Sequence, residues 1–265
     1  MPHLKCPSGT DLYYEIEGEG KPVLFLHGWG VDHRIWNQQI KHCKDHFKVI
    51  ALDLPGHGQS GWDRVSLETM VEDIKVLLDR EHIHQCSVVG SSLGGLFGLK
   101  LYELYPQVVE RLIFVGSMPK FAKDDDFPYG LDVARIRKLS NQLDSDFPSI
   151  INIFFRSLFT MHERESRRFK WLMKFKKHEA PPMKPALSEY LDMLESEDLR
   201  GVLKTVRVPV AYLNGREDYI CPHASIMLLL QSTPQAKVYF FEKCGHFPFL
   251  TEPYQFNQAL EDVLK

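Results

Sequence analysis

The sequence predicts an open, mainly parallel α/β sheet covered by helices on both faces, with a helical segment inserted into it. Three observations carry this expectation. Short β-branched or aromatic runs alternate with helical patterns towards both ends of the chain. One such run passes directly through a glycine- and serine-rich turn into a helix-like stretch. The alternation then lapses between Pro119 and Arg200, where no run reads as a strand.

The strand-like runs are Leu12–Glu17, Val23–His27, Lys48–Asp53, Ser87–Gly90, Leu112–Gly116, Val210–Asn214 and Val238–Glu242, and helical patterns such as Ser66–Glu81 and Gly95–Tyr105 separate them. Parallel strands in such a sheet bind ligands outside their carboxyl ends. The insertion carries an acidic loop (Asp124–Asp126), an aromatic helical run around Phe147–Phe159, a basic helix expected over Glu163–Lys177, and a turn rich in proline (Pro181, Pro182, Pro185). The expected organisation is therefore a core made of residues 1–118 and 201–265 and a helical lid over residues 119–200. No internal repeat or low-complexity segment interrupts it.

Composition bounds the function. The chain has 265 residues, of which 44% are hydrophobic and 25% charged, ample for one globular α/β domain with a subdomain. A formal net charge of −3 gives no global basic field, which argues against nucleic acid as a partner. The five cysteines, Cys6, Cys43, Cys86, Cys221 and Cys244, are odd in number and far apart, a pattern of reduced thiols. No apolar run approaches the ~18 residues of a membrane span, and the opening residues lack the apolar core of a secretion signal. The expectation is a soluble, cytoplasmic monomer that needs no metal or organic cofactor.

The chemistry is concentrated at strand ends. Gly90-Ser91-Ser92-Leu93-Gly94 fits G-x-S-x-G, the nucleophile elbow, in which small residues two places either side of the serine let it turn sharply from strand to helix. Ser92 is the expected nucleophile. His27-Gly28-Trp29-Gly30 ends an earlier strand, and its glycines allow the backbone to aim an N–H at a ligand. The Trp29 and Leu93 amides are the expected oxyanion donors, with His27 tying the turn down. Asp53-Leu-Pro-Gly-His-Gly-Gln-Ser60 reads as an architectural loop, Asp53 bonding to backbone.

Twelve histidines compete for the role of base. His246 lies in a glycine-led loop, Cys244-Gly245-His246-Phe247-Pro248, after the last strand, with a closing helix beginning near Glu252-Pro253. The chain order Ser…Asp…His places the orienting acid in Asn214-Gly215-Arg216-Glu217-Asp218, with Asp218 preferred and Glu217 the alternative. His82, His84 and Cys86 lack a fourth ligand and make a weak metal site.

These motifs, in this order, resemble the α/β-hydrolase family over nearly the whole chain. Within it, His-Gly-Trp-Gly, Gly-x-Ser-Leu-Gly-Gly and the run from Asp198 to Pro209 are similar to the pimeloyl-acyl-carrier-protein methyl ester esterases of biotin synthesis. That resemblance implies a carboxylesterase working through an acyl-enzyme. It also implies a substrate site formed by Trp29, Ser92, Leu93, Phe154 and His246, and a carrier protein held by lid cations. The residues after Phe154 depart from the pattern, and the basic positions shift onto Arg164, Arg167, Arg168 and Lys170, with Lys174 beyond them. A small-molecule esterase, a C–C bond hydrolase with the same triad, and a non-enzymatic receptor on this fold remain alternatives.

Overall fold

A computed structural model describes residues 3–64, 66–176 and 181–265. Eight strands form one sheet: β1 (His3–Lys5), β2 (Asp11–Glu17), β3 (Lys21–Leu26), β4 (Phe47–Leu52), β5 (Cys86–Ser91), β6 (Val109–Val115), β7 (Val210–Gly215) and β8 (Lys237–Phe241). Their order is β1-β2-β4-β3-β5-β6-β7-β8. The pairings of β1 with β2 and β2 with β4 are antiparallel, and the rest are parallel. β5 and β7 are buried along their whole length, as strands covered on both faces must be.

The core helices are α1 (Asn37–Cys43), α2 (Leu67–Arg80) and α3 (Leu93–Leu104). The insertion follows β6 and holds α4 (Val133–Asp146), α5 (Ser149–Ser157), α6 (Met161–Glu165), α7 (Arg167–Lys176) and α8 (Lys184–Ser196). After α9 (Arg200–Leu203) and β7 come α10 (His223–Leu229), α11 (Pro248–Thr251) and α12 (Pro253–Leu264). Ser66 caps α2 by accepting the Thr69 N–H at 3.3 Å, and its apolar stripe, Met70, Ile74 and Leu77 among it, is buried. α3 is buried almost all round because it lies against the centre of the sheet.

Most strand boundaries fall within one or two residues of the sequence expectation, but three differences are physical. β1 is three residues long and pairs only with β2, too short to leave a pattern. β6 begins at Val109, its first turn set by the short 3-10 turn at Pro106–Val108. The expected basic helix over 163–177 is two helices broken at Ser166, whose extended backbone (ψ 150°) ends α6 and whose hydroxyl accepts the Phe169 N–H at 3.0 Å. Lys177 lies outside the described residues. Between residues 119 and 200 the described chain contributes no strand to the sheet, only isolated bridges such as Lys120 with Asp198. No described helix is long and apolar enough to cross a membrane.

Candidate active site

Register brings the motif-bearing loops to one end of the sheet. Leu26 pairs with Gly90, Ser91 with Val115, and Val115 with Leu213, so the turns after β3, β5, β6 and β7 open side by side. Ser92 follows β5 with φ 52° and ψ −120°, a left-handed conformation that costs a non-glycine residue about 1–3 kcal/mol. Its neighbours hold it there. The Ser92 N–H donates to Val115 O at 3.0 Å, and Ser92 O accepts from Gly95 N at 3.0 Å and Ser117 Oγ at 2.6 Å.

The two glycines of the elbow are there for close approach. A Cβ on Gly90 would lie 2.5 Å from Gly94 O, and one on Gly94 would lie 2.4 Å from Leu26 O. The Ser92 side chain does not cap α3 and makes no hydrogen bond with a described residue. It lines a cavity together with His246. Contacts of this kind are often loose before a substrate tightens them.

His246 Nδ1 and Asp218 Oδ2 are 2.8 Å apart, both groups buried. Asp218 Oδ1 accepts the Ile220 and Cys221 N–H groups at 2.8 and 3.1 Å, so one carboxylate oxygen is fixed by backbone and the other faces the imidazole. Glu217 is exposed and bonds to the histidine loop only through its own N–H, donating to Cys244 O at 3.0 Å. Sequence reasoning missed Gly116, which follows β6 at φ 52°. A Cβ there would meet His246 O at 2.9 Å, His246 Nδ1 at 3.1 Å and Asp218 Oδ2 at 3.2 Å. Its signal was a glycine at the carboxyl end of a central strand.

The turn after β3 is fastened by buried histidines. His27 Nε2 accepts Leu54 N–H at 2.8 Å, and His57 Nε2 accepts Gly30 N–H at 3.1 Å. Burial pushes both pKa values down, His57 to about 3, so both accept as neutral rings. A Cβ on Gly28 would lie 3.0 Å from Ser92 Cβ, so this turn runs alongside the elbow. Leu93 is the first residue of α3, where a backbone N–H has no partner within the helix. Asp53 is buried and accepts from His33 N at 2.8 Å and Gln59 N at 2.8 Å, with His33 Nδ1 2.7 Å away. Burial opposes the charged form of His33, but the Asp53 bond and charge outweigh it and hold the pKa above its usual value.

The cavity has a volume of about 260 Å³ and is roofed by the insertion. Trp29 and Phe154 meet edge to face in its wall at 5.0 Å, and Trp29 Nε1 donates to Leu187 O of α8 at 2.9 Å. Leu139, Ile150, Leu191 and Leu194 make it apolar. Tyr219, next to Asp218 and also unread in the sequence, reaches Ser157 across the cavity, the two hydroxyls 2.8 Å apart. Arg135 and Lys138 of α4 line it as well, exposed and without an ion pair to a described residue.

The four lid cations singled out in the sequence divide into two pairs. Arg167 and Lys170 are exposed. Arg164 is half-buried and donates to Ser157 O at 3.3 Å, and Arg168 is half-buried and donates through Nε to Leu250 O. Burial also lowers the Arg168 pKa from its ordinary value. His82 and His84 are exposed while Cys86 is buried in β5. Two groups of potential metal donors do converge, Asp218 with Cys221 and His246, and Asp32 with His33 and Asp53. Their donors are already committed: His246 to Asp218, the Cys221 thiol to Gly116 O at 3.0 Å, Asp32 to Arg34 and His33 to Asp53.

Comparison with known proteins bears on the family and the fold. The sequence profile described as "alpha/beta hydrolase fold" matches residues 21–253. A pimeloyl-[acyl-carrier protein] methyl ester esterase of Nitrosomonas europaea is 31% identical over 252 residues, covering 95% of this chain and 99% of the relative. The protein of the same name from Klebsiella pneumoniae is 32% identical over 254 residues, covering 95% and 96%. Among solved structures, the esterase EaEST of Exiguobacterium antarcticum superposes with a TM-score of 0.90 at 24% identity, covering 99% of this chain and 98% of its own. A bromoperoxidase of Bacillus anthracis gives 0.89 at 24% identity, covering 99% of both chains. At that identity the structural likeness speaks to the fold alone.

Proposed function

The chain belongs to the α/β-hydrolase family and is a carboxylic ester hydrolase, and on that premise we propose that Ser92, His246 and Asp218 are its catalytic triad and that its substrate is a pimeloyl methyl ester held on acyl-carrier protein. The observation that carries the reading is the buried 2.8 Å pair of His246 and Asp218 in the loops beside a serine on a strained elbow.

In this reading His246 takes the Ser92 hydroxyl proton while Asp218 fixes the tautomer through Nδ1 and stabilises the imidazolium. Ser92 Oγ bonds to the ester carbonyl carbon, and the resulting oxyanion is received by the Trp29 and Leu93 amides. Loss of one such donor costs about 3–4 kcal/mol in comparable sites. The C–O bond to methanol then breaks, and His246 protonates the leaving oxygen. Water, deprotonated by His246, repeats the sequence on the acyl-enzyme and frees the acid and Ser92. Acyl transfer by this route calls for no metal or organic cofactor.

The apolar cavity suits an aliphatic acyl chain, with Trp29 and Phe154 flanking the reacting end. Residues 119–200 act as the lid that shapes it. Carrier contacts fall to Arg167 and Lys170 and to Arg135 and Lys138 at the cavity, because Arg164 and Arg168 donate to backbone carbonyls within the fold. The enzyme works as a cytoplasmic monomer.

Steady-state hydrolysis of methyl esters of dicarboxylic acids, free and loaded on acyl-carrier protein, tests the substrate. A kcat/KM for the carrier-bound pimeloyl ester well above that for the free ester supports the reading. Equal values would make this a small-molecule esterase.

A further inference from the structure

Glu163 is a lid carboxylate that is 3% exposed, and it is bonded to the loop that carries His246. Its Oε2 accepts the Thr160 N–H at 2.6 Å, closing a capping box at the start of α6, and accepts the Gly245 N–H at 3.0 Å. Its Oε1 accepts the hydroxyl of Thr251, the last residue of α11, at 2.7 Å, on the far side of His246 in the chain. Three further contacts join the two segments. Leu158 O accepts the His246 N–H at 2.9 Å, Thr160 Oγ1 donates to Lys243 O at 3.0 Å, and Arg168 donates to Leu250 O. The fit leaves no slack. A Cβ on Gly245 would lie 2.4 Å from Leu158 O and 3.1 Å from Glu163 Oε2.

From this arrangement we infer that Glu163 is a positioning residue for the reaction: by holding the N–H of Gly245 it fixes the backbone immediately before His246 and so sets the distance from the imidazole to Ser92. The inference rests on the triad reading above. A capping box needs only the bonds between Thr160 and Glu163, and a helix cap on an exposed lid has no use for a buried carboxylate. The extra bonds to Gly245 and Thr251 serve the other partner, the segment on either side of His246. The lid is accordingly divided. Residues 158–168 are bolted to the histidine loop, whereas α4, which carries Arg135 and Lys138, makes no side-chain hydrogen bond or ion pair with the catalytic loops among the described residues.

The test uses three variants of the full chain and a short ester that does not fill the cavity, so that KM reports little of the lid. Glu163→Asp keeps the charge but withdraws the carboxylate by one methylene, and Glu163→Ala removes it. Both should lower kcat by about 10- to 100-fold, the range in which small misplacements of catalytic groups fall, with KM little changed and circular dichroism still that of the folded parent. Glu163→Gln keeps the reach. Its amide oxygen has two lone pairs for the Thr160 and Gly245 amides, and its NH₂ can donate to the Thr251 hydroxyl, so it should restore most of the lost rate.

Parental kcat in folded Glu163→Asp would overturn the inference. So would a Glu163→Gln rate as low as that of Glu163→Asp, since hydrogen-bonding reach alone would then not restore the rate, or an effect confined to KM. If Glu163→Ala does not fold, the comparison of Asp with Gln decides alone. Ser92→Ala, assayed in parallel, separates the two readings: residual turnover there would remove the triad reading itself.

Discussion

Ser92 pays no visible role in helix capping although it occupies the position from which a serine usually caps, and its backbone is held in a conformation that glycine would adopt more cheaply. A side chain kept in such a place against local preference is there for what its hydroxyl does. The same logic separates two adjacent acids. Asp218 has one oxygen fixed by two backbone amides and the other 2.8 Å from His246, whereas Glu217 is exposed. Asp218→Asn should therefore lower kcat by about 10⁴-fold, because the amide favours the wrong imidazole tautomer. Glu217→Gln should stay within a few tenths of a log unit of the parent. Steady-state kinetics on one ester checks both, and a dead Glu217→Gln beside an active Asp218→Asn would transfer the role. Local sequence left this choice open because both acids sit in one turn, and only the fold shows which of them is turned inwards.

At the scale of elements, the strands were legible because a parallel sheet buries whole runs such as Val88-Val89 and Val23–Leu26, and the elbow because its glycines are demanded by backbone contacts. What the sequence concealed is pairing over distance. Nothing local marks Glu163 as a partner of Gly245, or Arg168 as a partner of Leu250, since each bond spans 82 residues. A run of lid cations consequently reads as one basic face, although two of its members are fastened to the fold. Reversing the exposed charges tests the division. Arg167→Glu with Lys170→Glu, and separately Arg135→Glu with Lys138→Glu, should raise KM for a carrier-bound ester while leaving a short free ester nearly unchanged. The increase should shrink at high salt, where the Debye length falls from ~10 Å at 0.1 M. Arg168→Ala should instead lower the melting temperature and affect both substrates alike, having removed a bond to α11, which follows His246.

For the molecule as a whole, the buried histidines beneath the turn after β3 set an acid limit. Burial holds the His57 pKa at about 3 in the folded state, and that of His27 is also lowered, while both rings titrate near 6.5 when unfolded. Below about pH 6.5 the unfolded chain binds the extra protons, so stability is full above that pH and is lost as pH falls, by about 1.4 kcal/mol per pH unit for His57 down to about pH 3, with His27 acting in the same direction. Urea unfolding from pH 7 to pH 4 should show that loss, and its slope should flatten in His57→Gln. A slope unchanged by the substitution would mean that His57 is charged in the fold. The fold and the order of the motifs were accessible from the sequence, because backbone sterics and chain order constrain them, and Ser92 and His246 were singled out there together with Asp218, preferred over Glu217. Gly116, Tyr219 and Glu163 were not, because each acts through a contact made only when distant loops meet at the sheet end. The central claim is that Ser92 is the nucleophile of an esterase. Intact-protein mass spectrometry after treatment with a serine-directed phosphonate tests it most directly: one adduct per parent chain, located at Ser92 and absent from folded Ser92→Ala, is the predicted result, and an adduct that persists on another serine of that variant would contradict it.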